Sequence, residues 1–354
     1  MTKIVLVGEA LGQREELFQH GFVGPSGVEL GRMLFQSGIA PGFAMDYPSE
    51  LEMIKHWKNL RENYGIEITN VFNKHPPDNN IDVFFTNAKD GIGGIPPLRP
   101  GKYLRQDLLP HLELLWDLLN AAKPNLIIAF GNTACWAVLG ESKISTIRGT
   151  VKTSPKLGLK VLPTYHPAAV LRQWNLRPIV MSDLEKAKRE AEFKEIRRIE
   201  RWVTVEPTLA EIEEWINRPA EYYAVDIETS LRRQVSMIGL ARSANDALVI
   251  PFMDETKDNW SYWPTVEEEM VAWKLANDLL NKPIPKLFQN GVFDLSHLLT
   301  VGFRPAMCLD DSMLLHHSLY PEMLKGLGFL GSIYSDEIAW KSMRTRGNNL
   351  KRDE

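Results

Sequence analysis

The sequence predicts an α/β protein of two domains: a three-layer α/β/α domain with a largely parallel sheet, then a domain built on a mixed sheet. Three observations carry this expectation. Apolar runs that end at glycine, Ile4 to Val7 before Gly8 and Leu126 to Phe130 before Gly131, read as central parallel strands buried on both faces. Helical stretches stand between such runs, and strands alternating with helices imply a sheet covered on both sides. Further on, Tyr222 to Thr229 reads as a strand, and Val235 to Ala241 and Ala247 to Phe252 follow it as a three-stranded antiparallel meander.

A length of 354 residues suits two cores. The formal net charge of −4 excludes a wholly basic nucleic-acid binder, yet leaves room for DNA held in a local basic groove. Cys135 and Cys308 are the only cysteines, which excludes a disulfide framework or a Cys-rich metal or iron–sulfur site and points to a reducing, cytoplasmic setting. The run from Ile4 to Val7 is too short for a signal peptide, and no later run is long enough to span a membrane, so no membrane contact is expected.

In the first domain the loop Gly8-Glu9-Ala10-Leu11-Gly12 follows the first strand, where ligands of open α/β sheets bind. Ser26 is placed to cap a helix that turns Leu30, Met33 and Leu34 inward. Thr69-Asn70-Val71 closes a short strand, and residues 73–103, rich in Pro, Gly and Asn, read as an irregular surface excursion. Leu108 to Ala121 is helical, and Val161-Leu162-Pro163 is a last strand running into Thr164-Tyr165-His166-Pro167. Taken singly, Glu9 is a solvated loop acid, His166 a structural hydrogen-bonder, and Phe22 and Asn70 are packing and turn residues.

Their joint order changes that. Gly8-Glu9-Ala10-x-Gly12, Phe22-Val23-Gly24-x-Ser26-Gly27, Thr69-Asn70-Val71, Gly131-x-x-Ala134, Arg148-Gly149 and Thr164-Tyr165-His166-Pro167 with Arg172 resemble the uracil-DNA glycosylase superfamily over roughly residues 1–175, nearest its iron–sulfur branch. The resemblance implies that Glu9 positions the hydrolytic water, Phe22 stacks on a flipped base, Asn70 reads the base edge, and His166 steadies charge on the departing uracil. It also places Gly8 and Gly12 at the substrate. Leu11 and Gly21 stand where the family carries proline, and the cysteines of the family's cluster are absent, so no iron–sulfur cluster is expected.

Met181 to Trp202 is dense in opposite charges with a thin apolar stripe of Leu184, Ala187 and Ala191. It reads as a solvated helix that either spaces two domains or completes the first. The expected division is 1–180, a charged helical linker over 181–202, and 203–354.

In the second domain Asp226 and Glu228 share one face of a strand whose other face carries Val225 and Ile227. Two adjacent carboxylates on a buried strand call for a compensating hard cation; the alternative is an edge strand with a wet acid face. Pro264-Thr265-x-x-Glu268 is a capping box opening a helix, and Lys286 to Gln289 is a strand before Asn290-Gly291-Val292-Phe293-Asp294, which starts another helix. This order resembles the proofreading, DEDD-type 3′→5′ exonuclease domain of family A DNA polymerases, an RNase H-like fold, over about residues 203–345. Cys308-Leu309-Asp310-Asp311-Ser312-Met313 is similar to that family's Asp-Thr-Met segment.

The resemblance implies Asp226, Glu228 and Asp294 as catalytic ligands of two Mg²⁺ or Mn²⁺ ions, with Asn290 at the substrate. The family's last motif, a Tyr or His four residues before an Asp, has no match after Asp311, so the domain reads as truncated before it and a partner chain is expected to supply the missing helix. Together the halves resemble the front of phage-like replication polymerases. The implied partners are DNA, both uracil-containing and single-stranded at 3′ ends, and a polymerase domain or subunit; the implied setting is the cytoplasm, that of the host for a viral protein. Two functions follow: an enzyme that excises uracil and trims 3′ ends, or a non-catalytic replication module that senses or merely holds uracil and docks a polymerase.

Overall fold

The computed structural model describes residues 3–43, 46, 48–230 and 232–336. The chain forms two units, Met1–Arg197 with Gly328–Glu354, and Arg198–Leu327.

The first unit is the expected three-layer α/β/α domain. Its sheet has β1 (Ile4–Ala10) between β2 (Ile66–Phe72) and β3 (Leu126–Phe130), then β5 (Lys160–Thr164), all parallel. A two-residue edge strand, β4 (Lys152–Thr153), runs antiparallel to β5 and is too short to show as a pattern in the sequence. Alternate residues of β1 enter opposite cores, as period-2 geometry requires. Ile4 and Leu6 pack with α1 (Pro25–Gln36), α2 (Glu50–Tyr64) and α6 (Arg177–Glu190). Val5 and Val7 pack with α3 (Leu109–Ala122) and α4 (Gly131–Leu139).

Local signals explain the helix ends. Ser49 and Glu52 form a reciprocal capping box on α2. The start of α1 differs from expectation: Gly24 is the cap, Pro25 takes the first helical position, and Ser26 lies inside the helix. The 73–103 excursion is irregular as expected, but it is not merely a surface loop. Phe84, Phe85, Leu98 and Leu104 are buried in the second core, and two short strands, Phe85–Thr86 and Tyr103–Leu104, pair within it.

The charged stretch after Met181 is corrected more substantially. The helix expected over 181–202 ends at Glu190, and its part in α6 is not solvated, for it buries Asp183, Lys186 and Glu190 as well as Leu184 and Ala187; residues 192–202 lie beyond it and are mostly exposed. Asp183 accepts hydrogen bonds from Arg148 and from Thr164 (2.6 Å), and Lys186 donates to the carbonyls of Gly149 (2.8 Å), Ser332 (2.9 Å) and Ser335 (2.7 Å). The segment after Leu327, expected to end the second domain, therefore belongs to the first unit. The division falls between Arg197 and Arg198.

The second unit has a six-stranded mixed sheet. The meander is β7 (Tyr223–Thr229), β8 (Val235–Ser243) and β9 (Asp246–Pro251), with β10 (Lys286–Phe288) parallel to β7 and β11 (Cys308–Asp311) parallel to β10. β6 (Trp202–Thr204) closes the far edge beside β9. This is the mixed order expected of an RNase H-like fold. α7 (Leu209–Asn217) and α8 (Val266–Asn281), the latter opened by the Thr265–Glu268 box, cover the core formed by Tyr223, Val225, Ile227 and Ile250. α9 (Gly291–Thr300) follows β10, and α10 (Ser312–Leu319) follows β11. Among the described residues no helix is long and apolar enough to cross a membrane.

Candidate active site

In the first unit the carboxyl end of β1, the end of β2, the β3–α4 turn and the β5–α5 turn (α5, Pro167–Arg172) enclose a cavity of about 620 Å³ lined by Glu9, Gly12, Phe22, Asn70 and His166. Every residue expected at the substrate from the first half is thus in one place, with Gly8 directly beneath. A Cβ on Gly8 would fall 2.2 Å from Asn70 Oδ1 and 2.6 Å from the tip of the Phe22 ring. Only a bare backbone allows that approach.

Gly21 closes the other side of Asn70. A Cβ there would lie 2.7 Å from Nδ2, so Asn70 occupies space that a proline would fill. At the other departure from the family's proline, Leu11 is buried, and its carbonyl accepts a 3.1 Å hydrogen bond from His75 Nδ1, tying the loop to the start of the excursion.

Phe22 is held in a left-handed conformation (φ 58°), 2% exposed, with its carbonyl accepting from Trp57 Nε1 (2.8 Å). Its ring stacks on His166 at 5.9 Å between centroids and meets Phe130 edge-on at 6.3 Å. His166 sits at the cap position of α5, where its Nδ1 accepts from the Ala168 N–H (3.2 Å). An accepting Nδ1 leaves the proton of the neutral ring on Nε2. Burial, aided by the positive charge of Arg172, pushes the imidazole down to about 4, so it is neutral at physiological pH and still a donor.

The Glu9 carboxylate accepts a hydrogen bond from Thr133 Oγ. Burial raises its pKa, while Thr133 and Arg172 pull it down. Thr133 and Arg172 were not given roles from sequence. The motif Gly131-x-x-Ala134 leaves Thr133 as an unspecified position, and the Thr133–Glu9 contact joins positions 124 apart.

In the second unit β7 exposes Asp226 and Glu228 and buries Val225 and Ile227, as the alternation predicts. Asp294, in the first turn of α9, is 2% exposed, and its Oδ1 accepts from the Ile227 N–H (3.0 Å), between the two strand acids. Burial raises it to about 6, and the negative charges of Asp226 and Asp311 add to this. Asn290 is exposed in a left-handed conformation at the start of α9. Its N–H and that of Gly291 donate to Asp311 (3.1 and 2.7 Å), which also accepts from the Met313 N–H (2.8 Å). Asp311 thus caps two helices.

The donor chemistry of Asp226, Glu228 and Asp294 suits a hard divalent cation. The geometry does not complete such a site: among the described residues no group of three or more His, Cys, Asp or Glu side chains is arranged to hold a metal ion. Residues 337–354, the end of the stretch read as truncated before the last exonuclease motif, lie outside the described residues. An iron–sulfur cluster does not fit either. Cys135 is buried in the second core of the first unit, where burial pushes its thiol far up, and Cys308 lies in the other unit.

Asp294 supports a stability prediction. Its folded value of about 6 stands above the ordinary 3.8, so the folded chain keeps a proton that the unfolded chain releases between those pH values. Stability therefore falls as pH rises from about 4 to about 6 and is lowest above that. Asp294→Asn keeps an oxygen for the Ile227 N–H and removes the charge. Urea unfolding in EDTA should show the variant more stable than wild type by on the order of 2 kcal/mol at pH 7.5, with the gap closing near pH 4. An unchanged or lower midpoint at pH 7.5 contradicts this.

The chain belongs to the uracil-DNA glycosylase superfamily, whose family model matches residues 1–198. Among its relatives, the type-4 uracil-DNA glycosylase of Thermotoga maritima is 30% identical over 192 residues, 53% of this chain and 77% of the relative. That of Archaeoglobus fulgidus is 30% identical over 192 residues, 52% of this chain and 75% of the relative. Both relatives are glycosylases by name. Among solved structures, the Aedes aegypti Nibbler EXO domain matches 43% of this chain and 77% of its own, at 15% identity and TM-score 0.31. Brucella melitensis NrnC with bound Mg²⁺ matches 38% of this chain and 61% of its own, at 21% identity and TM-score 0.25.

Proposed function

We propose that the first unit is a uracil-DNA glycosylase. What supports this most is the meeting of Glu9, Phe22, Asn70 and His166 on one cavity of about 620 Å³. A base must leave the helical stack before its bond to the sugar is cut, and a pocket then holds it by stacking and edge hydrogen bonds. Phe22 supplies the apolar face, and Asn70, clasped between Gly8 and Gly21, supplies an amide in a fixed position. The C1′–N1 bond breaks with its electron pair on the base, and His166 Nε2–H donates to the uracil oxygen where that charge gathers. Water adds at C1′, oriented by the Glu9 carboxylate, and the proton it loses passes through Glu9 to solvent. The uracil anion takes a proton from solvent, and the products are uracil and an abasic sugar. The test is release of uracil from a uracil-containing oligonucleotide by the whole chain, compared with His166→Ala and Glu9→Gln.

For the second unit we propose a 3′→5′ trimming module of a replication or repair assembly, with Asp226, Glu228 and Asp294 as its acids and Asn290 beside the strand. The specific support is Asp294 seated between the strand acids and raised by burial and by the Asp226 charge. Such a reaction needs a divalent cation that these side chains do not enclose as they stand, so no step is derived through one. A polymerase subunit that completes the site is part of this proposal, and the cytoplasm is its setting. The expectation is that, with Mg²⁺, the chain alone trims a 3′-labelled single strand no faster than its Asp226→Ala variant. Efficient trimming by the chain alone, abolished by that substitution, would contradict the need for a partner.

A further inference from the structure

After the second unit the chain comes back to the first through α11 (Leu327–Tyr334), outside the family match, which ends at residue 198. Ser332 is buried there and accepts at Oγ from Arg148 Nη1 (2.7 Å). The Arg148 guanidinium also lies 5.7 Å from the centre of the Phe329 ring. The approach is close: a Cβ on Gly149 would fall 3.0 Å from the Ser332 carbonyl oxygen and 2.7 Å from Asp183 Oδ1. From Arg148 the contacts run inward. Its Nε donates to Asp183 Oδ2 (3.0 Å), and the same oxygen accepts from Thr164 Oγ1 (2.6 Å). Arg148, Asp183 and Thr164 are all buried, so a bond lost among them is not made good by water. Thr164 is the last residue of β5, and the next two, Tyr165 and His166, line the cavity. His166 is thus held from two sides: at its ring by the Ala168 N–H and Phe22, and at its backbone, two residues back, by the Thr164 hydroxyl.

We propose that α11 is a positioning element of the uracil site: Ser332 fixes Arg148, Arg148 fixes Asp183, and Asp183 holds Thr164, which sets the entry of the chain into His166. This rests on the glycosylase reading of the cavity and deepens it, for it makes a segment beyond the family match part of what aims the donor. None of the four side chains lines the cavity, so each is a positioning residue. The consequence is specific to the leaving group. A displaced donor stabilises the departing anion less, while the pocket still takes up the base.

The test uses the whole chain at a temperature where circular dichroism shows every variant folded. Thr164→Val and Ser332→Ala each remove one hydroxyl. Single-turnover release is measured from a single-stranded oligonucleotide carrying uracil and from one carrying 5-fluorouracil, whose less basic anion asks less of the donor. Each variant is expected to lower the maximal rate on uracil about tenfold with little change in half-saturation, and to lower it clearly less on 5-fluorouracil. Thr164→Ser, which keeps the hydroxyl, should recover most of the rate. In a His166→Ala background, read on 5-fluorouracil, the same substitutions should cost nothing further, as for residues that act through one group. Equal losses on both substrates, or losses that multiply with that of His166→Ala, would assign the network to folding alone and overturn the proposal, as would unchanged rates. A loss in Thr164→Val with none in Ser332→Ala would take α11 out of the network and equally overturn it. If wild type releases neither base, the glycosylase reading fails, and nitrogen–proton spectra of the histidine rings, assigned with His166→Ala, decide the positioning alone. A His166 signal shifted in both Thr164→Val and Ser332→Ala supports it, and a signal identical to wild type in either overturns it.

Discussion

His166→Ala and Glu9→Gln should each lower the single-turnover rate of uracil release by about two to three orders of magnitude, while the half-saturating DNA concentration changes little. The expectation follows from what each side chain meets. His166 loses its charge to burial long before neutral pH and has its Nδ1 occupied by the Ala168 amide, so its remaining Nε2–H is a fixed donor. Removing one such donor to developing negative charge costs roughly 10²–10³ in rate. Glu9 must be ionised to orient water. Burial raises its pKa, so the acid limb of the rate profile should lie above that of an ordinary glutamate. His166 is protonated only near pH 4, so no inflection is expected around 6.5. A step at 6.5 that disappears in His166→Ala would contradict a neutral histidine donor.

The second large effect is on stability. Arg148 and Asp183 are 3% and 0% exposed at their side chains, and Arg148 also donates to Ser332 Oγ (2.7 Å). Replacing Arg148 with methionine leaves the Asp183 carboxylate buried with the Thr164 hydrogen bond and the nearby Lys186 charge in place of a bidentate partner. Breaking a buried pair from one side costs about 3–5 kcal/mol. For a unit of this size that corresponds to a fall of about 10 °C or more in the melting temperature. Lys186→Met should act in the same direction, by stranding the carbonyls of Gly149, Ser332 and Ser335. Ending the chain at Leu327 removes two of those partners and should also destabilise the first unit. Thermal unfolding followed by uracil release and by circular dichroism measures all three. A truncated chain that melts like the intact one would show that the segment from Gly328 is no part of the first unit.

Much of the fold was legible in local pattern. The two-sided burial of β1, the alternation of β7, and the capping boxes at Ser49 and Thr265 each depend on neighbours within a few residues. The cavity was legible only through the joint order of its motifs, since no single residue among Glu9, Phe22, Asn70 and His166 distinguishes itself from packing or turn chemistry. What stayed hidden depends on distant partners. Asp183 and Lys186 look solvated on a charged helix, yet they are buried by Arg148, 35 positions from Asp183, and by Ser332, 146 positions from Lys186. Asp311 stands out in the sequence only as part of a segment similar to Asp-Thr-Met; that the amides of Asn290 and Gly291, some twenty positions earlier, make it a cap is not visible there.

The most direct measurement is the product formed from a 3′-blocked, uracil-containing single strand after incubation with an excess of the full chain. Free uracil, detected by mass spectrometry, is expected together with an alkali-labile abasic site, and neither product with His166→Ala on the same time scale. An intact uracil-containing strand after prolonged exposure to the properly folded, DNA-binding protein would contradict it.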